Sequence, residues 1–338
     1  MKDYILNRRA LLRNAAGLLA GVAAEATVGG LLPVHAAEPR KLTRNTDTVR
    51  IGWGQGGLSL IAKQRGVFAK TLAAQGIKVE WVGPFPNHAP SIQAVVGNSA
   101  DFGFWGSTTP ALAGMLAGSP IVFNSFEVYS PRSTAIIVKK SSGINSVKDL
   151  VGKKVAINAS GLGEFLLVAA LEKYHIDKSK VQFVYLNPPD AAPAFATGQV
   201  DAWSMWSPAV DIARFKDDAK DIFNEGRDMD FLVDYTSLVT RRKFTEENSA
   251  LVRAVIDAYY AEGNWQSTHV AESEQLGQDV GKYPNEVRDY LASLKRVNKF
   301  YEPDDAAFMS QFQRAADWLS DRKIIRSPVK VADYSVKV

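Results

Sequence analysis

Apolar residues recur along this chain in two rhythms. Short β-branched or aromatic runs, VRIGW (49–53), KVEWV (78–82), DFGFW (101–105) and PIVFNSF (120–126), have the length and make-up of strands. Between them, residues 58–74, 89–96 and 108–117 space their apolar positions three and four apart, which predicts helices. Strand and helix alternate, with the connections that a mostly parallel sheet requires.

The alternation then restarts. INSVKDLVGKKVAIN predicts a short helix, a turn at Gly152 and a strand, followed by a helix over 163–174, a strand over 181–186, a helix over 191–197 and a strand over 200–206. From TSLVTRRKF (236–244) onward the pattern is helical, over 250–266, 271–281, 285–294 and 304–319. Without strands of their own, these helices pack most economically on the first unit, which makes the second unit an insertion. Two apolar runs ending in cations bracket it, STAIIVKK (133–140) and TSLVTRRKF. The expectation is an α/β fold of two lobes, 37–137 with 239–338 and 138–238, with these runs as the two crossover strands of a hinge. The alternative is that both are ordinary core strands of one larger sheet.

Composition narrows the function classes. With 338 residues, 46% hydrophobic and 22% charged, the chain can bury one large core or two ordinary ones. The absence of cysteine excludes disulfides, thiolate metal sites and a cysteine nucleophile. Formal charge is +4, and half of that excess lies in the first 36 residues, where Lys2, Arg8, Arg9 and Arg13 face only Asp3 and Glu25. No basic stripe suited to nucleic acid remains. Those 36 residues run from arginines through small apolar residues to Val34-His35-Ala36, a small-x-small cleavage pattern, and read as a signal peptide. Arg8-Arg9 with Leu11-Leu12-Arg13 resembles the twin-arginine export pattern, an ordinary secretion signal being the alternative. Glu25 interrupts the apolar stretch and argues against a permanent anchor. The expected location is the periplasm.

In open α/β sheets ligands bind beyond the carboxyl ends of strands, where helix N-termini offer free N–H groups and partial positive charge. Four such junctions are polar or glycine-rich. In GWGQGGLSL, Gln55 and Gly56 follow a strand and precede a helix; in FWGSTTP, Ser107 and Thr108 do the same. In INASGLGEFLL, Ser160, Gly161 and Leu162 open a helix whose first turn holds Glu164; in AWSMWSP, Trp203 and Trp206 flank a strand end. Each has a plain structural explanation: a turn, an N-cap, a dipole-matching carboxylate, a core tryptophan. Together they point to capture of a small anion by hydroxyls and backbone amides without arginine. Glu127, closing FNSFE, adds an acidic group just before the hinge, or is a loop carboxylate.

VRIGWGQGGL, ADFGFWGSTTP, SPRSTAIIVKK, SVKDLVGKKVAINASGLGEFLLVAAL and AFATGQVDAWSMWSPAV resemble, in order and spacing, the periplasmic substrate-binding components of ABC importers for aliphatic sulfonates, taurine and nitrate. The resemblance spans about residues 48 to 325. It implies a type II periplasmic binding protein that closes on a ligand and delivers it to a membrane permease driven by an ATPase, as a monomer and without a cofactor. It also implies a ligand near Gln55, Gly56, Ser107, Thr108, Ser160, Gly161 and Leu162, with Trp206 on the wall. Three positions depart from the pattern. Ser107 and Ser207 stand where many sulfonate binders have aspartates, and Glu164 stands where they often have histidine.

An enzyme is the competing class. The four histidines, His35, His88, His175 and His269, show no metal spacing or triad pattern. A binder of a thiamine pyrimidine precursor is the closest alternative among transport proteins of this broad fold.

Overall fold

A computed structural model describes residues 42–338, so the signal-peptide reading of residues 1–36 falls outside the described residues. The first unit runs β1 (Thr48–Gly54), α1 (Gly57–Arg65), α2 (Val67–Ala73), β2 (Lys78–Phe85), α3 (His88–Val96), β3 (Gly106–Ser107), α4 (Thr108–Leu116) and β4 (Ile121–Ser130). The single helix expected over 58–74 is two helices. Gly66 adopts φ 68°, a left-handed conformation open to glycine, and ends α1 there.

The second unit comprises β5 (Ala135–Lys139), β6 (Lys154–Ile157), α5 (Leu162–Lys173), β7 (Gln182–Tyr185), α6 (Pro188–Ala196), β8 (Ala202–Met205), α7 (Ala209–Lys216), β9 (Ala219–Asn224) and α8 (Glu225–Asp228). The chain returns through β10 (Thr236–Arg241), α9 (Arg242–Glu247), α10 (Ser249–Thr268), α11 (Val270–Gly281), α12 (Asn285–Ser293), β11 (Val297–Tyr301) and α13 (Ala306–Asp321).

Two sheets result. The first has the order β11-β4-β10-β3, every pair antiparallel, with the parallel pair β1-β2 joined to it through bridges at Phe102. The second has the order β7-β6-β8-β5-β9; β6 is parallel to β7 and β8, and β5 is antiparallel to both its neighbours. The expectation of mostly parallel strands therefore fails for the first sheet. Its strands include one that leaves for the second unit, β4, and one that returns, β10, and these necessarily run in opposite directions.

The two runs read as crossover strands also prove different. All of β5 is paired inside the second sheet, and all of β10 inside the first. The chain passes between the sheets in the segments 131–134 and 225–235. The apolar AIIV run of β5 reflects burial on both faces. Ile136 and Val138 pack with Leu166 and Leu167 of α5, whereas Ala135 and Ile137 pack with Phe195, Trp203 and Val210. In the first sheet, α10 joins β1, α1 and α2 through Val252, Val255 and Tyr259, and α13 covers the other face, with Phe308 and Phe312 against Phe126. Contrary to expectation, a strand, β11, lies among the late helices and pairs with β4.

Candidate functional site

Two of the junctions named from the sequence, β1–α1 and β8–α7, meet where loops of the two sheets face one another. At the β1–α1 turn, Gln55 is exposed and Gly56 occupies the N-cap of α1 with extended backbone. A Cβ at Gly56 would lie 4.0 Å from Pro208 Cδ, in the β8–α7 junction of the second sheet. Nearby, Asn87 Nδ2 donates to Asn187 Oδ1 at 3.1 Å, joining the β2–α3 junction to the β7–α6 junction. Backbone N–H groups at the starts of α1 and α5 are the donors that such a cleft can turn on an anion, whereas at the start of α4 Thr108 donates to the Tyr235 carbonyl oxygen and Pro110 has no N–H.

Ser107 sits at the N-cap of α4. Its Oγ is buried and has no hydrogen-bond partner of standard geometry among the described residues. Thr108 is different and corrects the expectation of a hydroxyl aimed at ligand: its Oγ1 donates to Asp234 Oδ1 at 2.6 Å, deep in the structure. Thr109 adds its N–H at 3.2 Å and its hydroxyl at 3.1 Å to the same oxygen. Burial raises the Asp234 carboxyl above its ordinary range, against the neighbouring hydroxyls and the charge of Arg132. Asp234 therefore caps α4 from a distant segment, and Thr108 serves that cap.

The β6–α5 junction is built tightly. Ser160 takes φ 51°, left-handed for a non-glycine residue, a strain of about 1 kcal/mol that the surrounding contacts must hold. Its N–H donates to Glu164 Oε2 at 2.7 Å, and Tyr185 donates to Glu164 Oε1 at 3.2 Å. Glu164 thus accepts from a backbone N–H at the start of its own helix. Gly161 and Gly163 are required by close approach. A Cβ on the first would lie 1.5 Å from Asn158 Nδ2, and one on the second 2.2 Å from the Ser204 carbonyl oxygen. Leu162 begins α5 half-buried.

Of the two tryptophans, Trp203 is 1% exposed on β8, with its ring 6.1 Å from that of Phe195. It belongs to the core, because β8 is a central strand covered on both faces. Trp206, one residue past that strand, is half-buried and reaches the junction. Glu127 is 5% exposed and stands in register with Thr236, which is in turn opposite Ser107, so the three share a row and a face of the first sheet. Burial pushes its carboxyl up to about 7, partly offset by the charge of Arg132.

Sequence reasoning passed over His88, the first residue of α3. Its Nδ1 lies 2.7 Å from the Ser107 carbonyl oxygen, and burial lowers its pKa to about 4, so the ring is neutral near pH 7. The signal was a fifth strand-to-helix junction, FPNHAPS, whose Asn87 caps α3. Arg296 and Asn187 also escaped notice. Among the described residues no cluster of acidic or histidine side chains has metal-site geometry, and no helix is long and apolar enough to cross a membrane. A cavity of about 700 Å³ lies elsewhere, between the far end of α5, residues 227–231 and α13, away from the converging junctions.

The family model described as NMT1/THI5 like matches residues 57–264, more than half of the chain. The chain belongs to the NMT1/THI5-like family. A protein of Bacillus subtilis (strain 168), provisionally named an aliphatic sulfonates-binding protein, is 31% identical over 288 residues, 84% of this chain and 84% of its own. The alkanesulfonate-binding protein SsuA from Xanthomonas axonopodis pv. citri, solved bound to MOPS, superposes with a TM-score of 0.79 at 23% identity, covering 88% of this chain and all of that one. The desulfurization enzyme DszB superposes with a TM-score of 0.61 at 16% identity, over 86% of this chain and 97% of its own. These likenesses establish an α/β fold of the periplasmic binding protein kind, and that fold serves binding proteins and enzymes alike.

Proposed function

We propose that this protein is the periplasmic solute-binding component of an ABC importer, capturing a small organic anion, foremost an aliphatic sulfonate, between two lobes and delivering it to a membrane permease and its ATPase. One observation carries the reading. Polar strand-to-helix junctions of the two sheets meet, with Gly56 against Pro208 and Asn87 bonded to Asn187. Such a site recognises an oxyanion by N–H and O–H donors, and the name of the Bacillus subtilis relative supports the sulfonate in particular.

The lobes in this reading are residues 42–130 with 236–338, and 135–224, joined by the crossovers 131–134 and 225–235; ligand contacts from both favour the closed population. Gln55, Gly56, Ser107, Ser160, Gly161, Leu162 and Trp206 form the binding surface, and Glu127 sets its charge at one end. In this reading the chain acts as a binder, and its neutral His88 spends its Nδ1–H on the Ser107 backbone carbonyl oxygen.

A thermal-shift panel tests the proposal, because a ligand that binds only the folded state raises the midpoint. The purified protein is heated with taurine, straight-chain alkanesulfonates, aryl sulfonates, sulfate esters, nitrate and thiamine pyrimidine precursors. The expected result is a rise with one class of sulfonate that grows with ligand concentration. A rise confined to an uncharged pyrimidine, or silence across the panel, contradicts it.

A further inference from the structure

Arg296 lies between α12 and β11, at the edge of the first sheet. Its guanidinium donates through Nη1 to Ser207 Oγ at 3.1 Å and through Nη2 to Ser133 Oγ at 2.6 Å, and its carbon sits 5.6 Å from the centroid of the Tyr129 ring. Three separate segments therefore meet on one side chain: the approach to β11, the outgoing crossover, and the β8–α7 junction of the second sheet. Its two acceptors are uncharged hydroxyls. Asp211 and Glu274 feel its charge at longer range, and both carboxyls are nonetheless raised by burial. A rigid planar fork reaching two acceptors on different segments suits arginine and would not be reproduced by the single ammonium of lysine.

Ser207 lies between Trp206, on the wall of the cleft, and Pro208, which faces Gly56 at the start of α1. We propose that Arg296 is a positioning residue for ligand capture, holding the Trp206–Pro208 turn of the second sheet against α1 of the first. The inference rests on the proposed binding function and assigns to a side chain distant in sequence the placing of one wall of that site. Ligand escape requires Pro208 to part from Gly56, and the Arg296–Ser207 bond resists that parting. Its loss therefore speeds dissociation and leaves association nearly unchanged.

The test has a ligand-dependent arm and a ligand-free arm. In the first, dissociation of an alkanesulfonate is followed by stopped flow in wild type, Arg296→Ala, Arg296→Lys, Ser207→Ala and the Arg296→Ala/Ser207→Ala pair. Arg296→Ala is expected to raise the dissociation rate about tenfold, as the loss of a hydrogen bond from a charged donor implies, with the association rate within about threefold. Ser207→Ala should raise it as well, the pair should exceed Arg296→Ala by little, and lysine should restore part of the loss. Dissociation within about twofold of wild type in Arg296→Ala, or single effects that simply add in the pair, overturns the proposal. In the second arm, the cysteine-free chain allows Gly56→Cys/Pro208→Cys to report proximity through its rate of disulfide formation without ligand. Arg296→Ala should slow that rate severalfold, and an unchanged rate overturns the proposal. If wild type binds no sulfonate yet cross-linking slows, the sulfonate reading fails and the positioning role stands.

Discussion

Replacing Arg132 with alanine is expected to destabilise the protein by about 3–5 kcal/mol, the largest loss from any single charged residue considered. Arg132 lies in the outgoing crossover and Glu225 begins the returning one. Arg132 Nε and Nη2 donate to the two Glu225 carboxylate oxygens at 3.0 and 3.1 Å, with side chains 6% and 0% exposed. The two crossovers touch closely here: a Cβ on Gly226 would lie 2.8 Å from the Arg132 carbonyl oxygen. Removing the guanidinium leaves a buried carboxylate without its countercharge, whereas Arg132→Met with Glu225→Leu removes both charges and should cost far less than either single change. Urea denaturation of the two single variants and the pair measures this. A cost below about 1 kcal/mol for Arg132→Ala would show that water reaches the pair and that the crossovers are not tied by it.

The second large effect concerns pH. The Glu127 carboxyl titrates at about 7 in the folded protein against an ordinary 4.5, so the folded state holds a proton there that the unfolded chain has released. Its contribution is full below pH 4.5 and is lost as pH rises to about 7, a fall of roughly 3 kcal/mol. His88 acts in the other direction. Its folded pKa is about 4 against 6.5, so its contribution is full above pH 6.5 and is lost as pH drops to about 4, again by roughly 3 kcal/mol. Between pH 4.5 and 6.5 the two slopes oppose and flatten the profile of the wild type. Glu127→Gln is therefore expected to lose the decline between pH 6.5 and 7.5 and to fall more steeply toward acid. His88→Gln should do the reverse. Denaturation midpoints at half-unit steps from pH 4 to 8 decide the matter, and a Glu127→Gln profile parallel to wild type would refute the burial of that carboxyl.

Particular residues show what the sequence could and could not disclose. Strand-and-helix alternation was legible because period-two and period-3.6 patterns are local, and the restart near residue 144 was legible for the same reason. The second strand of the late region was not. In β11 the apolar Val297 is 53% exposed and the polar Asn298 is buried, donating to the Gly263 carbonyl oxygen and to Gln266, so hydropathy there runs opposite to the usual rule. The crossovers were misplaced because a strand buried on both faces, such as β5, has the same continuous apolar look as a hinge strand. At the site, the junctions themselves were visible as glycine and hydroxyl residues between strand and helix. The direction of each side chain was not, because it depends on partners far away in sequence: Thr108 turns to Asp234, 126 positions on, and Arg296 reaches Ser207 from 89 positions away.

Calorimetric titration of wild type and of Ser107→Ala/Ser160→Ala with the sulfonate found in the thermal panel tests the central claim most directly. Ser107 carries a hydroxyl at the N-cap of α4 in the first sheet and Ser160 an exposed one in the second, so the pair removes one proposed donor from each side of the cleft. The expected result is one-to-one binding by wild type and affinity at least tenfold weaker in the double variant, with a ligand-free melting temperature close to that of wild type. Equal affinity in the two proteins would contradict capture of the anion between these junctions.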